Sequence, residues 1–224
     1  MNIDLEVVAD ERAAAQRGAE LIAVAGQTAV RERGIVSLAM SGGRTPWAML
    51  AILGDTEEMP WGETELFQVD ERIASPGSEE RNLTHLVLGL SIDHQASLRP
   101  MPVTQRNLEA AAREYESQLP ERLDLVHLGL GPDGHTASLV PGDPVLEVTD
   151  RRVALTESAY QDHRRMTLTY PAIDTARQIV WLVTGAEKRD ALAKLLAGDP
   201  SIPAGRVQNE AMIVVADEAA AGGA

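Results

Sequence analysis

The sequence predicts an α/β protein: a doubly wound, mostly parallel sheet flanked by helices, in a single domain. Three observations predict it. Short apolar runs alternate with helical patterns along the chain, without internal repeats or a low-complexity linker. The apolar residues, 44% of the total, are aliphatic, with only one Phe, three Tyr and three Trp, as expected of strands covered by helices. A length of 224 residues fits one large domain better than two small ones. The domain is expected over residues 1–218, with residues 219–224 as a frayed tail.

The elements follow in order. Asp10 to Arg33 has helical composition, with Asp10 as cap, Glu11 in the first turn and Gly34 after the last basic residues. A strand, Ile35 to Met40, breaks into Ser41-Gly42-Gly43-Arg44-Thr45-Pro46, and a helix resumes from Trp47 to Leu53. Glu65 to Val69 is a strand ending in Asp70-Glu71-Arg72, and Asn82 opens a helix through Leu90. Asn107 to Leu119 is helical, and Leu123 to Leu130 is a strand running into Gly131-Pro132-Asp133-Gly134-His135. Arg165 to Tyr170 and Ile179 to Thr184 are further strands. Glu187 to Ala197 is a helix stopped by Gly198 and Pro200, and Ala211 to Ala216 is the last strand.

Composition excludes several classes. Without cysteine, neither a disulfide nor a thiolate metal site or nucleophile can be proposed. The N-terminus lacks a basic-then-apolar signal pattern and no apolar run approaches a membrane span, so a cytoplasmic location is expected. A net charge of −14 opposes binding to nucleic acid or to an anionic membrane. An anionic small ligand would need positive charge gathered locally.

In doubly wound sheets ligands bind beyond the carboxyl ends of the strands, and the unusual loops here all follow strand ends. In Ser41–Pro46 two glycines allow a tight turn, Thr45 is a good helix cap and Pro46 suits the first helical position. Such a loop binds phosphate, with the Ser41 and Thr45 hydroxyls as added donors. It is equally compatible with an ordinary strand-to-helix turn. Asp70-Glu71-Arg72 reads either as a solvated charged loop or as site residues at a strand end. The loop from Gly129 to His135 is the sharpest signal. It sets Asp133 two residues from His135, where a carboxylate can orient an imidazole acting as proton carrier near neutral pH. The other four histidines are scattered, so no metal site is expected. Lys188, in the first turn of its helix, reads as a solvated lysine unless a bound anion reverses the unfavourable dipole there.

Together these segments resemble the 6-phosphogluconolactonase family, part of a fold group with glucosamine-6-phosphate deaminases and ribose-5-phosphate isomerases. The resemblance rests on Ser41–Pro46, Asp70–Arg72, GLGPDGHTASLVPG from Gly129, RMTLT from Arg165, VTGAEK from Val183 and the IPAGRV ending from Ile202. It implies hydrolysis of a phosphosugar lactone with His135 as general base and Asp133 as the acid beside it, without cofactor or metal. It further implies a phosphate site of Arg72, Lys188, Ser41, Gly42, Gly43 and Thr45. Asp70 and Arg44 are counted with that site, and Arg165 lines the cleft. Three positions depart from the family pattern: Arg44 stands where many relatives carry serine, Arg81 precedes Asn82, and Asp174 replaces an asparagine. The partner expected is the small lactone alone, with the protein a monomer or weak homodimer.

Two rival readings follow from the same resemblance. The deaminases carry a phenylalanine-asparagine-glutamate run after the loop histidine, where this chain has Ser138-Leu139-Val140. A non-catalytic sugar-phosphate sensor would carry a DNA-binding segment, and no basic patch marks one here.

Overall fold

The computed structural model describes residues 3–90 and 96–222. The main sheet holds seven strands: β1 (Ile3–Val8), β2 (Val36–Met40), β3 (Thr64–Gln68), β5 (Ser97–Arg99), β6 (Leu125–Gly129), β9 (Ile179–Val183) and β10 (Met212–Asp217). Their order is β1-β10-β9-β6-β2-β3-β5, and every adjacent pair is parallel. Three short strands, β4 (Asp70–Arg72), β7 (Val153–Leu155) and β8 (Arg165–Leu168), form a separate antiparallel sheet ordered β4-β8-β7. The doubly wound α/β reading of a single domain therefore holds, with this small sheet added to it.

Helices cover both faces. On one side lie α1 (Glu11–Arg33), α2 (Arg44–Gly54) and α3 (Asn82–Gly89), packed through Ile22, Met49, Leu53 and Leu86 onto Leu38 and Val180. On the other lie α4 (Leu108–Gln118), α5 (Tyr170–Asp174), α6 (Arg189–Ala197) and the small sheet. These meet Phe67, Leu128 and Trp181 through Tyr115, Ile173, Leu192 and Met166. The strands between them, such as β2 and β9, are buried at every position, which explains their unbroken apolar runs.

Local signals set α1. The Asp10 carboxylate accepts the Ala13 N–H at 2.8 Å, and Gly34, at φ +78°, ends the helix in the left-handed conformation. Its buried stripe of alanine and glycine allows close approach: a Cβ on Gly18 would stand 2.8 Å from Met49 Sδ.

Other elements correct the sequence reading. Helix α2 starts at Arg44 with Gly43 as its cap, not at Thr45, whose hydroxyl is drawn to Glu11 and Thr184 instead. A 3-10 turn, Ala186–Lys188, precedes α6. Residues 219–221, expected to be frayed, lie in α7 (Glu218–Ala221), capped by the Asp217 carboxylate at Ala220 N and burying Ala220. Strands β1, β5 and β7 and helix α5 lack clear local signals and were not anticipated.

The strand order places a topological switch between β2 and β6, since the chain leaves β2 toward β3 but leaves β6 toward β9. Loops leaving two such neighbours in opposite directions open a crevice at their carboxyl ends. Both glycine-rich loops emerge there.

His127, on β6, is fully buried, and neither ring nitrogen has a hydrogen-bond partner among the described residues. Burial pushes its pKa down from 6.5 to about 3. Below pH 6.5 the unfolded chain therefore takes up a proton that the folded chain refuses, and stability is lost as pH falls. Between pH 6.5 and 5 this residue alone should remove about 2 kcal/mol. Urea unfolding of His127→Leu across that range should lack this part of the acid sensitivity. Identical pH slopes in the two proteins would contradict it.

Candidate active site

A cleft of about 290 Å³ opens at the switch point, beyond the carboxyl ends of β2, β6 and β9. Ten of the sequence-nominated residues line it: Ser41, Gly42, Gly43, Arg44, Thr45, Asp70, Arg72, His135, Arg165 and Lys188. The eleventh, Asp133, stands behind His135 and bonds to it.

The loop after β6 doubles back on itself. Gly131 N–H donates to the His135 carbonyl at 2.8 Å, Gly134 N–H to the Gly131 carbonyl at 3.0 Å, and Thr136 Oγ1 to the Gly129 carbonyl at 2.9 Å. Two glycines are required. A Cβ at Gly131 would lie 2.0 Å from His135 Nδ1, and Gly134 has φ +82° with Ile202 against it. The result is a 2.6 Å bond between His135 Nδ1 and Asp133 Oδ1. That bond, opposed by partial burial, holds the Asp133 carboxyl well below the usual carboxylate range. An ionised carboxylate only accepts, so Nδ1 carries a proton, and Nε2 is the nitrogen left to accept one in the neutral ring.

The Asp70-Glu71-Arg72 triplet is no solvated loop. Glu71 is wholly buried and caps α3 from outside, accepting the N–H groups of Asn82 at 2.8 Å and Leu83 at 2.9 Å. Its carboxylate also takes Arg72 N–H and Gln68 Nε2, and pairs with Arg81 at 3.3 Å. Asp70 is buried too: it accepts from Ser138 Oγ at 2.5 Å and Asn82 Nδ2 at 3.1 Å, and faces Arg165 Nη1 at 3.6 Å.

Several cations converge on the cleft. Arg165 is buried, and burial lowers its pKa while Asp70 opposes the shift. Arg72 Nη1 is anchored on the Glu80 carbonyl at 2.6 Å. The ammonium of half-buried Lys188 makes no hydrogen bond or close ion pair among the described residues, and desolvation depresses its pKa against the pull of Glu187 and Asp133. Arg44 lies at the rim, 80% exposed and paired with Glu11 at 3.0 Å.

The loop hydroxyls are already engaged. Ser41 Oγ donates to the His127 carbonyl at 2.8 Å, and Thr45 Oγ1 contacts Glu11 and Thr184, each at 2.8 Å. What the loop presents is its backbone at the amino end of α2. Gly42 is obligatory there, because a Cβ would meet Asn82 Oδ1 at 2.1 Å.

Tyr160 and Gln161, in the turn Tyr160–His163, were not among the residues nominated from the sequence. Tyr160 Oη reaches Asp133 Oδ2 at 3.2 Å, and Gln161 Oε1 accepts from Arg165 at 3.2 Å and lines the cleft. No periodic pattern marks that turn. Among the described residues no cluster of three or more His, Cys, Asp or Glu is arranged to hold a metal ion, and no helix is long and apolar enough to cross a membrane.

The family model for glucosamine-6-phosphate isomerases/6-phosphogluconolactonase matches residues 9–215. A 6-phosphogluconolactonase of Nostoc is 31% identical over 238 residues, covering 99% of this chain and 98% of its own. A solved 6-phosphogluconolactonase of Shewanella baltica superposes with a TM-score of 0.86 at 27% identity, over 96% of this chain and 98% of its own. A monomeric glucosamine-6-phosphate deaminase shares the fold, with a TM-score of 0.83 at 19% identity over 98% and 99% of the two chains.

Glu71→Ala would leave Arg81 without its buried counter-ion and the first N–H groups of α3 unsatisfied. It should lower stability by about 3–5 kcal/mol. Urea unfolding checks this, and a loss below about 1 kcal/mol would refute the capping role.

Proposed function

Since the chain belongs to the family of glucosamine-6-phosphate isomerases and 6-phosphogluconolactonases, we propose that it hydrolyses 6-phospho-D-glucono-1,5-lactone to 6-phosphogluconate, the second step of the oxidative pentose phosphate pathway. The observation that carries the reading is the Asp133–His135 pair at 2.6 Å, with the His135 side chain on a cleft also lined by Arg72, Arg165 and Lys188. An imidazole with a free Nε2 suits water activation, and the cations suit an anionic phosphosugar. The curated Nostoc relative carries the name of this activity over nearly its full length.

The phosphate is held by Lys188, Arg72 and the backbone of the Ser41–Thr45 loop. Arg44 and Asp70 complete that end, Arg44 as a rim cation and Asp70 as the acid behind Arg165. Lys188 is the natural anion partner, because it is partly desolvated and the acids near it, Glu187 and Asp133, are not bonded to it. Binding at this remote group orients the lactone carbonyl near His135.

Neutral His135 takes a proton from water on Nε2 as the water oxygen attacks the carbonyl carbon. Asp133 stabilises the imidazolium that results. The tetrahedral oxyanion then collapses, the bond from carbonyl carbon to ring oxygen breaks, and imidazolium returns the proton to that oxygen. The product is an open acid that ionises at neutral pH. The loop N–H groups of Gly131, Gly134 and His135 are committed to loop acceptors, so Arg165 is the better oxyanion donor. The reaction calls for no cofactor, metal or covalent intermediate. The proposed enzyme is cytoplasmic, and a monomer or weak homodimer.

The activity is tested with lactone freshly made from glucose 6-phosphate, following 6-phosphogluconate through a coupled dehydrogenase against the unaided rate. Catalysis by substoichiometric protein is expected; no acceleration by folded protein would overturn the proposal, and ammonia release from glucosamine 6-phosphate would favour deaminase chemistry. His135→Ala should lower kcat by about 10²–10⁴ with the fold intact. Lys188→Ala and Arg72→Ala should chiefly raise KM, and an unchanged KM in either would remove that residue from the phosphate site.

A further inference from the structure

The turn Tyr160–His163 is built against the candidate catalytic pair. Tyr160 and His163 bridge each other, and the two residues between them, Gln161 at φ +51° and Asp162 at φ +68°, both adopt the left-handed conformation without being glycine. Neighbours hold that backbone in place. Arg165 Nη2 donates to the Tyr160 carbonyl and to Gln161 Oε1, each at 3.2 Å, and His163 Nε2 lies 2.9 Å from Glu80. The Arg165 guanidinium also sits 5.3 Å from the centre of the Tyr160 ring.

This scaffolding delivers one hydroxyl. Tyr160 Oη lies 3.2 Å from Asp133 Oδ2 and 3.3 Å from His135 Nδ1, and its ring centre is 5.0 Å from that of His135. Asp133 Oδ1 is taken by the imidazole, so the phenol occupies the other carboxylate oxygen. Tyr160 itself does not line the cleft, although Gln161 beside it does. We propose that Tyr160 is a positioning residue, whose hydroxyl fixes the Asp133 carboxylate in the plane that holds His135 for proton transfer. The inference rests on the reading of His135 as general base.

The physical case is one of rotational freedom. Asp133 is part-exposed on a loop, and a carboxylate bonded through one oxygen can swing about its last torsion. A second donor on Oδ2 removes that freedom, as outer hydrogen bonds do for other oriented side chains. Burial, and after it the Asp133 charge, pushes the Tyr160 phenol above its ordinary range, so it stays protonated as a donor. That donor also draws charge from the carboxylate and tempers its hold on the imidazolium. Other charged groups near the pair are Arg165 beneath the phenol, with Arg72 and Asp70 beside it, and Lys188 with Glu187 in the turn before α6.

The test is Tyr160→Phe, which keeps the ring and its packing and removes only the hydroxyl, with His135→Asn measured alongside. Tyr160→Phe should lower kcat about tenfold with KM within about twofold. The acid limb of its kcat/KM profile should move to higher pH, because the freed carboxylate becomes a stronger partner for the imidazolium. A ring that served only as cover would leave both readouts at wild-type values. Unchanged kcat and acid limb in Tyr160→Phe, with His135→Asn inactive, would overturn the role of Tyr160 alone. A raised KM with an unmoved acid limb would make Tyr160 a substrate contact and overturn the positioning role. An active His135→Asn would instead remove the base itself, and the ground for the inference with it.

Discussion

The 2.6 Å bond between His135 and Asp133 is the contact on which the rest of the site depends. In this loop the imidazole and the carboxylate meet where the chain doubles back, and that path needs Gly131 and Gly134. The loop is in turn seated from a distance. Ile202 packs where a Cβ on Gly134 would sit, and the Ala204 N–H donates to the Gly134 carbonyl at 3.0 Å. A buried strand, β6, aims this assembly at the switch point, where the loop after β2 faces it across the crevice. Side-chain chemistry at His135 is thus a consequence of sheet order, two glycines and a remote apolar seat.

A chain of net charge −14 assembles a cationic cleft by placing acids beneath its cations. Asp70, buried and bonded to Ser138 and Asn82, offsets the desolvation of Arg165. Glu71 spends its oxygens on α3, Arg72 N–H and Arg81 rather than on the cleft. A buried acid satisfied by hydrogen bonds and a cation is stable where an unpaired one is not. Lys188 is the exception in this scheme, since no acid is bonded to it, and a bound anion would complete its surroundings.

What the sequence made legible was local. The α1 caps, the glycine loop with its histidine, and the cations after strand ends all carry their signal within a few residues. The small antiparallel sheet was not legible as such, because β4 pairs with β8 across nearly a hundred residues and each strand is too short to show a period. Tyr160 was missed for the same reason, since its partner Asp133 lies 27 residues away. Thr45 shows a local signal losing to tertiary context. Its capping preference is genuine, but Glu11 and Thr184, from α1 and the end of β9, take the hydroxyl, and the helix begins at Arg44 instead.

Shape alone does not choose between lactone hydrolysis and aminosugar chemistry, because a deaminase shares this fold. The deaminase run after the loop histidine would set its acid at Val140, where this chain carries no carboxylate. Of the described residues lining the cleft, only Asp70 and Glu187 are acidic, and Asp70 is already bonded on both oxygens. Against them stand Arg44, Arg72, Arg165 and Lys188. An aminosugar phosphate brings its own ammonium into that field of cations, whereas a lactone brings a neutral reacting centre and a phosphate that the cations hold. The balance of charge around His135 therefore favours the lactone independently of the missing acid.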